Sequence, residues 1–108
     1  MNIDIEICLN WMRDNASTLA SAKADMVFQT EKRKSVKADL MQRSLEKTES
    51  AKESWAYAHP EYAQHLETLR IAVYDYELIR VQMMACELKI EAWRSLEATN
   101  RAIDKAHI

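Results

Sequence analysis

Residues 60–106 contain no Gly and no Pro after the opening Pro60, and this uninterrupted run constrains the fold more than any other feature of the chain. Apolar side chains recur along it at intervals of three and four residues, the spacing of one face of an α-helix. Pro60 suits the first helical position because it has no backbone N–H to lose. The run predicts one helix over residues 60–106, with His59 as its N-cap.

This predicted helix carries two apolar stripes. The first consists of Tyr62, Leu66, Leu69, Val73, Tyr76, Met83, Cys86, Ile90 and Trp93. The second consists of Ile71, Tyr74, Leu78, Val81, Ala85, Leu88, Ala92, Leu96, Thr99 and Ile103. A surface helix needs only one apolar stripe, so two stripes predict two neighbours.

The chain itself supplies one neighbour, and we expect a second copy of the chain to supply the other. A two-fold dimer is the simplest arrangement that covers the same stripe on both copies. The predicted interface consists of Ile71, Tyr74, Leu78, Val81, Ala85, Leu88, Ala92 and Leu96. The alternative is that the chain's own N-terminal segment covers the second stripe.

The composition predicts an all-α fold. The chain of 108 residues has no Gly, which disfavours tight hairpin turns and phosphate-binding loops. Ala, Glu, Lys, Leu, Arg and Met, which favour helices, are abundant. We expect a single domain that forms a long antiparallel helical hairpin with a short N-terminal helix and assembles into an oligomeric bundle.

The region before Pro60 predicts two further helices. A short amphipathic helix is expected over about residues 3–13, with Ile5, Cys8 or Leu9, and Met12 on its apolar face. Residues 13–18 gather side chains that bond locally to backbone, so a kink or break is expected there. A long helix should follow over about residues 17–56. The short link then forces an antiparallel hairpin, with Trp55, Tyr57, His59 and Tyr62 packed at its turn.

The sequence favours a cytoplasmic location. Cys8 and Cys86 lie far apart, which argues against a disulfide framework, and Cys86 falls on an apolar stripe as a small core residue would. The acidic N-terminus differs from a signal peptide. No apolar run approaches the ~20 residues of a membrane span.

The chain lacks the patterns that indicate catalysis or metal binding. No nucleophile is accompanied by a base and an orienting group in a local pattern, so we expect no enzymatic activity. Glu61 and His65 have the spacing of two ligands on one helical face, but the chain has no Glu-x-x-His pair of the kind found in bundle di-iron sites. We therefore expect no cofactor and no metal, with the histidines solvated at the surface.

A basic strip on the first long helix gives a second hypothesis. Five cations, Lys32, Arg33, Lys37, Arg43 and Lys47, fall on one side of that helix and could follow a phosphate backbone. An acidic strip lies alongside and would repel the same polyanion. The formal net charge of −2 favours no particular partner. The alternative interpretation is ordinary solvation of an outer helix.

Four segments carry a resemblance to a group of proteins. They are residues 33–41 (RKSVKADLM), 57–62 (YAHPEY) and 90–94 (IEAWR, with its continuation to Ala106), together with the opening 11–15 (WMRDN). Through them the chain resembles small all-helical proteins encoded by bacteriophages and prophages. The resemblance implies a phage-derived gene that acts beside DNA recombination or replication, and it supplies no catalytic residue.

The leading hypothesis is a non-enzymatic helical module that self-associates, with a dimer favoured, and binds a protein partner. The alternative is direct nucleic-acid binding through the basic strip. No membrane partner is expected.

Overall fold

The computed structural model describes residues 3–107, which form three α-helices. These are α1 (Ile3–Arg43), α2 (Glu49–Ala58) and α3 (Pro60–Ala106). Residues 3–107 contain no strand, and α1 and α3 are the antiparallel arms of a long helical hairpin. The all-α hairpin is therefore confirmed. α3 has the bounds that the sequence predicts, whereas the bounds of the other two helices differ from the prediction.

The first difference is that α1 runs without a break from Ile3 to Arg43. The separate helices over residues 3–13 and from residue 17 are therefore wrong, and the short helix of the fold is not N-terminal. The side-chain amide of Asn15 donates to the carbonyl of Trp11 at 2.9 Å, one turn earlier. A polar side chain that bonds back to its own helix is compatible with a continuous helix, which is why this polar stretch does not end it.

The second difference is a break over residues 44–48, inside the helix that the sequence predicts for residues 17–56. The Ser44 hydroxyl accepts a hydrogen bond from the backbone N–H of Glu46 at 3.1 Å. Thr48 then has an extended conformation and caps α2, since its hydroxyl accepts from the N–H of Ala51 at 3.1 Å. Leu45 lies in this connection and is 98% exposed.

His59 joins α2 to α3 and serves both helices. Its N–H donates to the carbonyl of Ala56, which completes the last turn of α2. Its ring Nδ1 accepts from the N–H of Glu61 at 3.1 Å, which satisfies a free donor at the start of α3. The prediction that His59 is the N-cap of α3 is confirmed.

The helices contribute to two compact units, each described here separately. The second unit, Ala20–Glu77, contains all of α2. Its core is a cluster of Leu40, Ala56 and Tyr62, with half-buried Val36, Met41 and Trp55 packed against it. The three helices thus contribute one buried residue each to this core, and Leu40 is 0% exposed.

The aromatic residues at the turn pack in pairs within this unit. The Trp55 and His59 rings lie 5.0 Å apart between centroids, and the rings of Tyr57 and Tyr62 lie 5.2 Å apart in an edge-on arrangement. Such pairs add to the stabilisation that comes from burial alone. The predicted packing of these four side chains at the turn is confirmed.

The first unit consists of residues 3–19 and 78–107, so it is built from the start of α1 and the end of α3. Its buried apolar side chains are Ile5, Cys8 and Met83. Half-buried residues continue the same faces at steps of three and four, with Met12, Asn15 and Leu19 on α1 and with Ile79, Cys86, Ile90 and Trp93 on α3. Leu9, the alternative to Cys8 on the apolar face, is exposed.

The buried face of α3 in the second unit differs from the first stripe that the sequence predicts. Leu66 and Val73 are exposed, whereas His65 and Ala72 are buried. The packed positions Tyr62, His65, Leu69, Ala72 and Tyr76 follow steps of three and four without interruption. The prediction went wrong because it selected apolar side chains and passed over a polar and a small residue.

None of the helices within residues 3–107 has an apolar stretch long enough to cross a membrane.

Candidate self-association surface

One face of α3 carries the eight residues that the sequence predicts as an interface, and we call this set the outer stripe. It consists of Ile71, Tyr74, Leu78, Val81, Ala85, Leu88, Ala92 and Leu96. All eight are exposed on the single chain. The last six, from Leu78 to Leu96, lie in the first unit. The alternative, in which the chain's own N-terminal segment covers these residues, is therefore wrong.

The exposure of the outer stripe is large for side chains of this type. Leu88, near the middle of the stripe, is 64% exposed, and Leu78, Val81 and Leu96 are exposed with it. Met84 lies beside them on the helix and is exposed as well. Isolated exposed apolar residues are ordinary, but a contiguous row of them marks a site of interaction.

The spacing of the outer stripe is that of a coiled-coil seam. From Ile71 to Ala92 the steps alternate between three and four residues, and Leu96 follows after a further step of four. Residues that repeat every 3.5 positions keep a continuous apolar row against a partner helix when the two helices supercoil around each other. The buried face of α3 has the same alternation, so α3 can pack against helices on two of its sides.

Charged side chains border the outer stripe. At about 100° per residue, Lys89 and Glu91 lie along opposite edges of the row, and both are exposed. Charged side chains in these positions leave a polar rim around the apolar face, which is the arrangement found at protein interfaces.

The basic strip does not present five free cations. Lys37 Nζ lies 3.3 Å from a carboxylate oxygen of Glu53 and 4.8 Å from the centroid of the Tyr57 ring. Its hydrogen bonds with Tyr57 and Glu53 raise the pKa of Lys37, so the ammonium stays charged and paired. Within the second unit, this cation holds α1 against α2.

Arg43 is engaged in the same way at the start of α3. Its Nη1 and Nη2 lie 2.9 Å and 3.1 Å from the two carboxylate oxygens of Glu61, and Nη1 lies 3.3 Å from Asp39. This two-point pairing is the geometry that guanidinium and carboxylate groups favour. The hydrogen bonds from Arg43 lower the pKa of Glu61 below its ordinary value.

The other three cations of the basic strip are exposed. Lys32 Nζ lies 6.0 Å from the centroid of the Phe28 ring, Arg33 lies on the same helix, and Lys47 lies in the connection before α2. The structure thus places Lys47 outside the helix on which the prediction put it. A phosphate backbone that followed the strip would meet Glu53 and Glu61 beside the paired cations.

His65 is buried, at 7% exposure, and the interpretation that it is a solvated histidine is wrong. Its Nε2 lies 3.0 Å from the carbonyl oxygen of Gln29 on α1 and donates to it. The side-chain oxygen of Gln29 is itself buried without a hydrogen-bond partner. An open cleft of about 380 Å³ adjoins His65 and is lined also by Lys32, Val36, Glu61, Gln64 and Thr68.

The described residues contain no cluster of three or more His, Cys, Asp or Glu side chains that could hold a metal ion. Glu61 is bound to Arg43, and His65 is bound to a backbone carbonyl, so these two residues have separate partners. Cys8 and Cys86, which lie far apart in the sequence, are both free thiols in the first unit.

Comparison of the chain with protein-family models, with curated proteins and with solved structures gave no match. The class that the fold defines is the all-α helical hairpin, and the outer stripe is the feature of its surface that calls for a functional explanation.

Proposed function

We propose that the protein is a non-enzymatic helical interaction module that self-associates through the outer stripe. The observation that carries the proposal is the exposure, on the single chain, of a coiled-coil row from Leu78 to Leu96. Burial of a Leu or Val side chain contributes ~1.5–3 kcal/mol relative to exposure. A partner that covers this row would therefore gain this stabilisation from each Leu and Val side chain that it buries.

The accessible surface of the chain supports the same proposal. The chain exposes 8059 Å², whereas monomeric proteins of its mass expose about 6200 Å² on average. An interface of standard size removes about 800 Å² from each partner. After burial of about 800 Å² in such an interface, the accessible surface of the chain would still be no smaller than that of an average monomer of its mass.

A second copy of this chain is the occupant that the surface fits. A two-fold axis brings the same stripe of both copies together, so one apolar row satisfies both partners without any further surface. The alternating steps of three and four allow the side chains of one copy to enter the spaces between those of the other. The exposed charges beside the row remain at the rim.

The proposal is tested by Leu88→Glu, with Phe28→Glu as the matched control. Leu88 is 64% exposed and lies in the outer stripe, whereas Phe28 is 60% exposed and lies on α1. An unpaired carboxylate in an apolar seam is costly, so Leu88→Glu should weaken the dimer by roughly 100-fold or more. Sedimentation velocity over a concentration series should show Phe28→Glu associating like the unmodified chain.

Equal weakening by both substitutions would show that the association does not depend on the outer stripe. Circular dichroism of each variant provides the check on folding, because both substitutions lie on exposed positions of helices. Retention of full association by Leu88→Glu would exclude the surface proposed here.

Binding of a protein partner, an origin in a phage or prophage and a role beside DNA recombination or replication stay predictions from the resemblance of the sequence. A cytoplasmic location stays a prediction as well. Direct nucleic-acid binding through the basic strip is tested separately, by titration with single- and double-stranded DNA over a salt series. Contacts with phosphates predict an affinity that falls steeply as the salt concentration rises.

A further inference from the structure

Cys8 and Cys86 are neighbours in the first unit although they lie far apart in the sequence. Cys8 is buried on α1, and Cys86 is half-buried on the face of α3 that packs against it. The side chains of Cys8 and Cys86 interact with each other. Both occupy packed positions at steps of three and four, Cys8 on α1 and Cys86 on α3.

We propose that Cys8 and Cys86 are a modification site, at which a peroxide or a small-molecule disulfide forms a reversible intramolecular disulfide. This inference does not depend on the proposed self-association, because the two thiols lie on the faces that α1 and α3 turn toward each other. Disulfides need the two side chains to approach closely and to point at one another, and facing positions on packed helices provide that approach.

Cys86 is the residue that reacts first, because it is the more exposed of the two. Its thiolate attacks one oxygen of hydrogen peroxide, the O–O bond breaks, and a sulfenic acid forms while hydroxide leaves. The Cys8 thiolate then attacks the sulfenic sulfur, and the S–S bond forms as the second oxygen leaves as hydroxide. The two protons released by the thiols convert both hydroxides to water, so the peroxide is reduced and the dithiol is oxidised.

The surroundings of Cys86 determine how the reaction depends on pH. Burial and the hydrogen bond with Cys8 raise the pKa of the Cys86 thiol above its ordinary value. Only the thiolate is nucleophilic, so the reaction is slow at neutral pH and accelerates as pH rises through that raised pKa.

The disulfide would fasten the start of α1 to α3. The buried apolar residues of α1 in the first unit are Ile5 and Cys8, so few contacts resist the opening of this segment. A covalent link closes a long loop of the chain and restricts the unfolded state. In the oxidised form, residues 3–19 can no longer separate from α3.

The experiment treats the full-length chain at low micromolar concentration with hydrogen peroxide and follows free thiols, peptide mass and thermal unfolding. We expect both thiols to disappear together at a rate independent of protein concentration, with loss of two hydrogens and one peptide linking Cys8 to Cys86. The unfolding temperature should rise by about 10 °C or more, and dithiothreitol should reverse the rise.

Two results would overturn the inference. One is persistence of both thiols while the exposed Met84 is already oxidised, and the other is a link between Cys86 residues of two copies in place of the intramolecular one. Both results are measured on the unmodified chain, so the test does not depend on the folding of a cysteine variant. Cys86→Ala serves as an additional control, and it should abolish the rise in unfolding temperature.

Discussion

The two units of the molecule bury apolar surface to different extents. In the second unit, α1, α2 and α3 each contribute a side chain to a core around Leu40, Ala56 and Tyr62. In the first unit, only α1 and α3 are present, and Leu78, Val81, Leu88 and Leu96 remain exposed. The second unit also leaves Leu66, Ile71 and Tyr74 exposed, so the difference teaches that full enclosure is reached where α2 packs around Leu40.

Helix geometry explains this difference. Two paired helices bury one stripe each and leave the rest of their surface in water. In the second unit α2 packs against this pair, and Leu40 is fully buried in the cluster that the three helices form. A third and a fourth helix, from a second copy, would give the first unit the enclosure that α2 gives the second.

The largest effect is expected for a substitution in the enclosed core. Leu40→Ala removes a side chain that is 0% exposed and should lower the free energy of unfolding by ~2–5 kcal/mol. Leu45→Ala is the matched control, because Leu45 is 98% exposed and its loss should change stability by less than about 0.5 kcal/mol. Denaturant unfolding of both variants measures the two values. Equal costs would mean that the second unit has no enclosed core.

An intermediate effect is expected at the cap of α2, the helix that only the second unit has. Thr48→Ala removes the hydroxyl that accepts from the N–H of Ala51 and should cost ~0.5–2 kcal/mol. Thr30→Ala is the control, since the Thr30 hydroxyl bonds only to the Met26 carbonyl of its own helix. Denaturant unfolding should show no loss for the control. A neutral Thr48→Ala would mean that the cap does not hold α2 in place.

The smallest effect is expected for the ion pair between Arg43 and Glu61. Arg43 lowers the pKa of Glu61 below its ordinary value of 4.5, so the pair stabilises the fold above that value. This stabilisation is lost as pH falls through the lowered pKa of the folded state. Both side chains are about half exposed, so the loss should be small.

Glu61→Gln should therefore lose less stability than the unmodified chain when thermal unfolding is followed from neutral pH to about pH 3. Arg43→Gln should flatten the acid dependence by the same amount, because it removes the partner that lowers the pKa. An unchanged acid slope in both variants would mean that the pair is not formed in solution.

Much of the fold could be predicted from the sequence, because the spacing of apolar residues and the absence of Gly both bear on local helix formation. The start of α3 and its cap at His59 follow from Pro60, and the outer stripe follows from the spacing of apolar residues along one helix. The break at residues 44–48 left a readable signal as well, since Thr48 followed by Glu49 has the pattern of a helix start. Apolar residues on both sides of the break continue at helical spacing, so the spacing alone does not show that the helix ends.

The remaining features depend on how two helices are aligned, and spacing within one helix does not give that alignment. His65 is buried because it faces the Gln29 carbonyl, yet nothing in its own neighbourhood distinguishes it from a surface histidine. The pairing of Arg43 with Glu61, which ties up a cation of the basic strip, likewise joins residues of different helices. The same holds for the approach of Cys8 to Cys86.

Sedimentation equilibrium of the unmodified, reduced chain over a micromolar concentration series tests the central claim most directly. The outer stripe predicts a species of twice 12.6 kDa that dissociates on dilution. A single species of 12.6 kDa at every concentration would contradict it.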